Sequence, residues 1–368
     1  MIKLEDLLME MVERGASDLF LKAGGAPYTR VDGQIQPLDY EEMSPNETEQ
    51  VANQIMSEPQ WRRFQDVPEM DLALGMSGIG RFRVNCFRQR GTVGIVFRHI
   101  SNPDFSFGAL NLPPAVERLA NMKRGLILVT GMTGAGKSTT LAAIINHINQ
   151  SRKAHIVTVE DPIEFLHQDM MSIISQREVG FDTKSFRDAL KHVLRQSPDV
   201  ILIGEMRDLE TMQTAISAAE TGHLVLSTLH TTDAVQTVER IINYFPAYLH
   251  PQVRLDLSLC MNGVISQRLL PHKSGTGRVP AAEILISTPV IKKLLHEGRT
   301  LEMVEHMREG EHVGMQTFNQ SLMMLIKANL VAYGDALMYA SSPDELRLVH
   351  EGLGSGSAAV HAVARDAG

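Results

Sequence analysis

Eight consecutive residues of this 368-residue chain, Gly131-Met132-Thr133-Gly134-Ala135-Gly136-Lys137-Ser138, have the spacing of a phosphate-binding loop, G-x-x-x-x-G-K-S. Its glycines let backbone N–H groups turn inward around phosphate oxygens, and the positive end of a following helix dipole adds to them. A lysine at this place reaches the β- and γ-phosphates, and the next hydroxyl can sit on Mg²⁺. Gly131, Thr133, Gly134, Ala135, Gly136, Lys137, Ser138 and Thr139 are therefore the candidate nucleotide-binding residues, with Ser138 also a candidate metal ligand. A Gly-rich turn with a stray lysine would read the same in isolation. The context argues otherwise: an apolar run at 125–130 precedes the loop and a helix-compatible stretch at 138–150 follows it, in the strand–loop–helix order that the motif requires.

Binding phosphate is not hydrolysis, which needs a metal shell and a carboxylate to orient water. Two acidic clusters follow, each at the end of an apolar run, where an open α/β sheet places its ligands. In Thr158-Val159-Glu160-Asp161-Pro162-Ile163-Glu164-Phe165 three carboxylates lie within five positions, and Pro162 enforces a turn. In Val200-Ile201-Leu202-Ile203-Gly204-Glu205-Met206-Arg207-Asp208 four apolar residues lead to Glu205, a Walker B layout with glycine where aspartate usually stands. Further on, His223 and His230 flank an apolar strand, seven residues apart. No further ligands lie nearby, so zinc is not expected. A satisfied histidine at each strand end is one reading, and γ-phosphate sensing is the sharper one.

The elements that must position these residues can be read from periodicity. Leu4, Leu7, Leu8, Met11 and Val12 repeat at helical spacing. Strands are expected at 18–21, 28–31 and 34–35, with a hairpin turn at Val31-Asp32-Gly33-Gln34, and again between 70 and 100. Ser44-Pro45-Asn46-Glu47 is a helix start with a capping box. Residues 1–100 thus form a mixed α+β domain. Residues 101–114, with four prolines or glycines, form a hinge linker. From 115 to 350 the runs at 126–130, 155–160, 200–205 and 224–229 alternate with helical stretches such as 185–195 and 209–220. That alternation predicts an α/β fold with a largely parallel sheet, and 289–350 reads as helices alone. The Gly/Ser/Ala-rich tail at 351–368 is expected to be disordered.

Taken together, the motifs resemble the secretion-superfamily ATPases that drive type IV pili. GMTGAGKS is similar to that family's Walker A, TVEDPIE to its Asp box, VILIGEMRD to its atypical Walker B and TGHLVLSTLH to its His box. GASDLFL, RFRVN and GMQTF resemble the pilus retraction branch, PilT and PilU, and the likeness spans about 1–350. The C-terminal end and the segment beginning Pro289-Val290-Ile291 lean toward the PilU side. The resemblance implies a RecA-like P-loop ATPase core behind a smaller N-terminal PAS-like domain, with ATP and Mg²⁺ as cofactors. It makes Glu164 the general base, puts Glu205 in the metal and water shell, and has His223 and His230 contact the γ-phosphate side. Arg83 and Arg98 become arginines that act on a nucleotide shared between subunits, with Arg240 assisting. It also implies a homo-hexamer, a PilT-like paralogue as partner, and peripheral association with an inner-membrane pilus platform protein from the cytoplasmic side. A PilT-type motor, a type II secretion ATPase, or a nucleotide-binding subunit regulating a partner ring remain as alternatives.

Composition sets bounds on these readings. Apolar residues are 43% and charged residues 21%, which is ordinary globular usage. A net charge of −8 argues against a nucleic-acid partner, because phosphate neutralisation needs clustered Lys and Arg. Cys86 and Cys260 fit no metal or redox spacing and are expected to be buried thiols. No apolar run approaches the ~20 residues that span a bilayer. These features together predict a cytoplasmic protein.

Overall fold

The computed structural model describes residues 3–352 other than 32, 77 and 101–103. Residues 353–368 of the tail expected to be disordered, the start of the expected linker and Asp32 of the hairpin turn lie outside the described residues. The chain divides into two compact units, Met1–Pro103 with Pro162–Leu166, and Asp104–Asp161 with His167–Gly368.

In the first unit α1 (Leu4–Glu13), β1 (Asp18–Lys22), β2 (Tyr28–Val31), β3 (Gln34–Pro37), α2 (Pro45–Ile55), α3 (Glu58–Asp66), β4 (Glu69–Met76), β5 (Gly80–Gln89) and β6 (Thr92–Ile100) follow in order. The strands form one antiparallel sheet, ordered β3-β2-β1-β6-β5-β4. Alternation along each strand separates two faces. Leu19, Leu21, Phe82, Val84, Ile95 and Phe97 are buried in a core completed by Leu4, Leu7, Leu8 and Met11 of α1, Val51 of α2 and Phe64 of α3. Arg83 and Arg98 point to the other face and are exposed. The capping box of α2 forms as its residue types require: Glu47 N–H donates to Ser44 Oγ at 3.3 Å, and Ser44 N–H donates to the Glu47 carboxylate at 2.8 Å.

The second unit contains α4 (Pro114–Ala120), β7 (Gly125–Thr130), α5 (Lys137–Ser151), β8 (His155–Glu160), β9 (Ile173–Glu178), α6 (Phe186–Val193), β10 (Val200–Ile203), α7 (Leu209–Glu220), β11 (Leu224–Leu229), α8 (Ala234–Tyr244), α9 (His250–Cys260), β12 (Met261–Pro271) and β13 (Arg278–Ile286). Five helices complete it: α10 (Pro289–Glu297), α11 (Met303–Glu309), α12 (Phe318–Lys327), α13 (Tyr333–Tyr339) and α14 (Pro343–His350). Its seven-stranded sheet runs β13-β12-β7-β11-β10-β8-β9. All neighbours are parallel except β12 and β13. This is the doubly covered α/β arrangement of a RecA-like P-loop core. Leu126 and Leu128 of β7 enter the core on the side of α6–α11, while Ile127 and Val129 enter the core built with α4 and α5. Burial on both faces is why β7 and β11 read as continuous apolar runs rather than alternating ones. A third, smaller core joins Leu270, Val279 and Ala281 to Phe318, Leu322 and Leu346 of the C-terminal helices.

Several features have no counterpart in the sequence-based expectations. Helix α3 and strands β9, β12 and β13 were not anticipated. Phe105, Phe107 and Leu110, within the stretch read as linker, pack against the second unit's core. Pro162–Leu166 groups with the first unit although the chain on both sides of it belongs to the second. Both cysteines are buried, and burial pushes each thiol up to about 12, so neither is a ready nucleophile.

Candidate active site

The phosphate loop leaves β7 at the C-terminal edge of the parallel sheet, between β11 and β12. Gly131 has φ +146°, and a Cβ there would lie 2.6 Å from the Gln267 carbonyl oxygen and 2.8 Å from Ala135 Cβ. Only glycine lets the loop turn this close to β12. The Lys137 ammonium curls back over the loop, donating to the carbonyls of Gly131 at 2.9 Å and Met132 at 3.2 Å. Thr133 and Gly134 are exposed, while Ser138 and Thr139 are half-buried on the first turn of α5. One turn in, Thr140 Oγ1 donates to Gln267 Oε1 at 3.0 Å, fixing the start of α5 to β12.

Helix starts around this sheet differ in one respect that bears on ligand choice. The side chains of Ser185, Asp208 and Asp233 cap α6, α7 and α8 by accepting from backbone N–H groups. Helix α5 begins instead from Gly136, with no side-chain cap and no acidic residue in its first turn. Its N–H groups and dipole are left to an anion from elsewhere. Among the described residues no group of three His, Cys, Asp or Glu side chains could hold a metal ion by itself. Ser138 and Glu205 nonetheless fit a magnesium ion that reaches the site with its phosphates and keeps several waters.

Next along the sheet, β10 and β11 bring Glu205 and His230 together: His230 Nε2 lies 3.2 Å from one Glu205 carboxylate oxygen, and Arg207 Nη2 lies 2.7 Å from the other. Burial pushes the Glu205 carboxyl up, but the Arg207 hydrogen bond and the charges of His230 and Arg207 outweigh it, leaving the group below the usual carboxylate range. Glu205 is therefore an anion at neutral pH. The Gly204 that departs from Walker B has a steric reason: a Cβ there would lie 3.3 Å from the Glu160 Cα and the Val159 carbonyl. A side chain there would have to push the β8 backbone aside by a few tenths of an ångström, so a glycine fits most easily.

The other predicted residues are placed as follows. Glu160 is held by Thr158 Oγ1 at 2.7 Å and Gln176 Nε2 at 3.3 Å, so it belongs to the β8–β9 framework. Glu164 is exposed and lies in Pro162–Leu166, the segment that groups with the first unit. Arg240 Nη1 donates to the His230 carbonyl at 3.3 Å.

His223 stands at the other end of β11 from His230, away from this chain's phosphate loop. In the parallel register Leu229 pairs with Thr130, at the loop end, while Leu224 pairs with Gly125 at the other edge. His223 precedes Leu224, so a strand of six residues, roughly 20 Å long at ~3.3 Å per residue, separates it from the loop. There its ring lies 3.0 Å from the Ala218 carbonyl, a local structural bond.

In the first unit, Arg83 and Arg98 are directly paired across β5 and β6. The row continues to Asp18 on β1 and Arg30 on β2. Arg98 Nε donates to Asp18 Oδ1 at 2.9 Å, and Arg30 Nε lies 3.4 Å from Oδ2. Two like charges placed directly opposite each other destabilise a sheet. Asp18 offsets part of this, leaving three guanidinium groups to one carboxylate on an open face. Asp18 and Arg30 were missed from sequence because cross-strand partners are set by register. Arg207 was readable, two residues beyond Glu205, but no role was assigned to it. Gln267 carries no local signal, since it reaches α5 from a strand 127 residues on from Thr140.

The geometry can be set beside known proteins. The family described as type II/IV secretion system protein matches residues 1–328. The chain belongs to that family. The type IV pilus ATPase PilU of Pseudomonas aeruginosa is 45% identical over 360 residues, covering 98% of this chain and 94% of that protein. The retraction ATPase PilT of the same organism is 42% identical over 339 residues, covering 92% and 98%. A crystal structure of the pilus retraction motor PilT with bound ADP superposes with a TM-score of 0.88 at 45% identity, covering 94% of this chain and 99% of that one.

Proposed function

We propose that this protein is an ATP-hydrolysing motor of type IV pilus retraction, working as a homo-hexameric ring and PilU-like in its role. The observation that carries the reading is the uncapped, acid-free start of α5 under the Lys137 loop, one strand away from the Glu205–His230 pair. Likeness to PilU over nearly the whole chain supplies the pilus. The slightly lower identity to PilT leaves a PilT-type motor as the second reading.

In this scheme Lys137 and the α5 N–H groups neutralise and orient the phosphates. The Ser138 hydroxyl and the Glu205 carboxylate would hold Mg²⁺, which when bound offsets charge between the β- and γ-phosphates. Glu164 orients the attacking water, and His230, poised by Glu205, responds to the γ-phosphate. Arg83 and Arg98 act on a nucleotide held by a neighbouring subunit. A cation supplied in trans of this kind is worth roughly 10³–10⁵ in rate. A PilT-like paralogue and the inner-membrane platform protein are the partners, and the cytoplasmic face of that membrane is the place of work. Among the described residues no helix is long and apolar enough to cross a membrane. The deciding experiment measures ATPase rate, ATP affinity and native mass for the wild type and Glu164→Gln. Retained binding and ring mass with lost turnover are expected; normal turnover in the variant would remove Glu164 from the base role.

A further inference from the structure

Strand β8 ends at Glu160, and the chain rejoins the sheet where Ile173 opens β9. Glu164 lies on this excursion, in the part that groups with the first unit. The outgoing limb is fastened to β9 through the backbone, where Val179 N–H donates to the Glu160 carbonyl at 2.8 Å. The returning limb is fastened to α5, the helix that starts at the phosphate loop. There the buried Asn149 side chain donates to the Gln168 carbonyl at 2.7 Å and accepts from Met170 N–H at 3.1 Å. Gln176 of β9 holds both limbs. Its Oε1 accepts the His167 N–H at 2.8 Å, and its Nε2 donates to Glu160 Oε1 at 3.3 Å. Gln176 pairs with Thr158 across the parallel strands, and Thr158 Oγ1 donates to the same Glu160 oxygen at 2.7 Å. Residues 161–166 are thereby a loop closed at its neck by one side chain.

We propose that Gln176 is a positioning residue of the ATPase site, which clips the neck of this loop and so sets where Glu164 stands when it orients water. It acts through the His167 backbone and the Glu160 carboxylate, and touches no nucleotide. The residue type is the one this role demands. A backbone N–H can only donate and a carboxylate can only accept, so a side chain bridging them must offer a carbonyl to one and an NH₂ to the other. A glutamate would keep the bond to His167 but set a second carboxylate against Glu160. A methionine would fill the space and make neither bond. Glu164 stands between the two clipped positions, four residues after Glu160 and three before His167, so slack at the neck passes directly to it. Displacing a reacting group by about 1 Å can cost on the order of 10² in rate.

The inference rests on the reading of Glu164 as the base, and the experiment tells the two apart. ATPase kinetics and native mass are measured for Gln176→Glu, Glu164→Gln and the two combined. Gln176→Glu should lower kcat by about tenfold or more, with KM for ATP within about twofold of wild type and ring mass retained. In the Glu164→Gln background it should cost no more than about twofold further, because no base is left to misplace. A clip that served stability alone would cost the same factor in both backgrounds. Exchanging the pair, Gln176→Glu with Glu160→Gln, restores a donor and an acceptor across the neck, and kcat should return to within about threefold of wild type. Three results would overturn the proposal: kcat of Gln176→Glu within about twofold of wild type, an undiminished loss in the Glu164→Gln background, or a folded exchanged pair no faster than Gln176→Glu. Normal turnover in Glu164→Gln would instead sink the base reading itself, whatever Gln176→Glu does. Should Gln176→Glu fail to fold, Gln176→Met removes both bonds without adding a charge; the same loss of kcat is expected, and an unchanged kcat counts against the proposal.

Discussion

The two sheets of this chain put their chemistry in different places. The parallel sheet of the second unit is covered on both faces, so β7, β10 and β11 spend almost every side chain on the core. Only residues just past the C-terminal strand ends, Gly131–Lys137, Glu205 and His230, are left for ligands. The antiparallel sheet of the first unit packs its core on one face, and its other face carries the row Arg30, Asp18, Arg98 and Arg83 across four strands. A doubly covered sheet can act only at an edge, whereas a singly covered one can act through a whole face. The first suits a small buried ligand such as a nucleotide phosphate, and the second suits something presented by another surface.

The largest expected effect tests the edge. Lys137→Ala should lower ATP turnover by on the order of 10⁴-fold, since it removes the cation aimed at the phosphates. Melting temperature should change little, because the ammonium's bonds to the Gly131 and Met132 carbonyls lie within its own loop. Steady-state ATPase assays with a thermal melt check this, and turnover within tenfold of wild type would deny the loop its role.

The face is tested next. Arg83→Ala should cost roughly 10³-fold, the low end for a trans arginine, with ATP affinity nearly kept. Mixed rings sharpen the comparison. Rings of Arg83→Ala subunits mixed with Lys137→Ala subunits should regain part of the activity, because each variant lacks a different half of a shared site. Mixtures as inactive as their components would mean that the arginine face does not serve a neighbour's nucleotide.

These tests separate what the sequence disclosed from what it hid. The phosphate loop, the acids after β8 and β10, and the alternation of strands and helices are local patterns, and they read directly. The capping box at Ser44 and Glu47 was legible for the same reason. What stayed hidden depends on register or on long-range contact. Strand β12 supplies Gln267 and Ser266 behind the loop, yet its residues mix polar with apolar and follow α9 without a break. Asp18 pairs with Arg98 only because β1 and β6 are neighbours in the sheet, 80 residues apart. Gly204 looked like a departure from Walker B, and the tight approach of β8 is visible only in the fold. Segment 162–166 shows the same limit, since nothing in its residue types says which unit it joins.

A smaller effect concerns Glu205. Its carboxyl lies below the usual range in the fold, so its bonds to Arg207 and His230 stabilise the fold above the unfolded value of 4.5 and are lost as pH falls through the lower folded value. The melting-temperature gap between wild type and Glu205→Gln should persist down to pH 5 and shrink below about 4.5. A gap that closes already at pH 6 would place the control of the pair elsewhere.

The smallest effect is the most discriminating within one strand. His230 and His223 stand at opposite ends of β11 and differ in sequence only by which end they occupy. If the C-terminal edge alone is the working edge, His230→Ala should lower kcat by about tenfold or more, because it removes a donor poised by Glu205 at the phosphate side. His223→Ala should leave kcat within about twofold and lower the melting temperature slightly, through loss of the bond to the Ala218 carbonyl. A large loss at His223 without loss of stability could not come from its own chain's loop, roughly 20 Å away. It would mean that the N-terminal edge of the parallel sheet meets a neighbouring subunit's nucleotide, and the contrast between the working edge and the working face would then hold for one subunit but not for the ring.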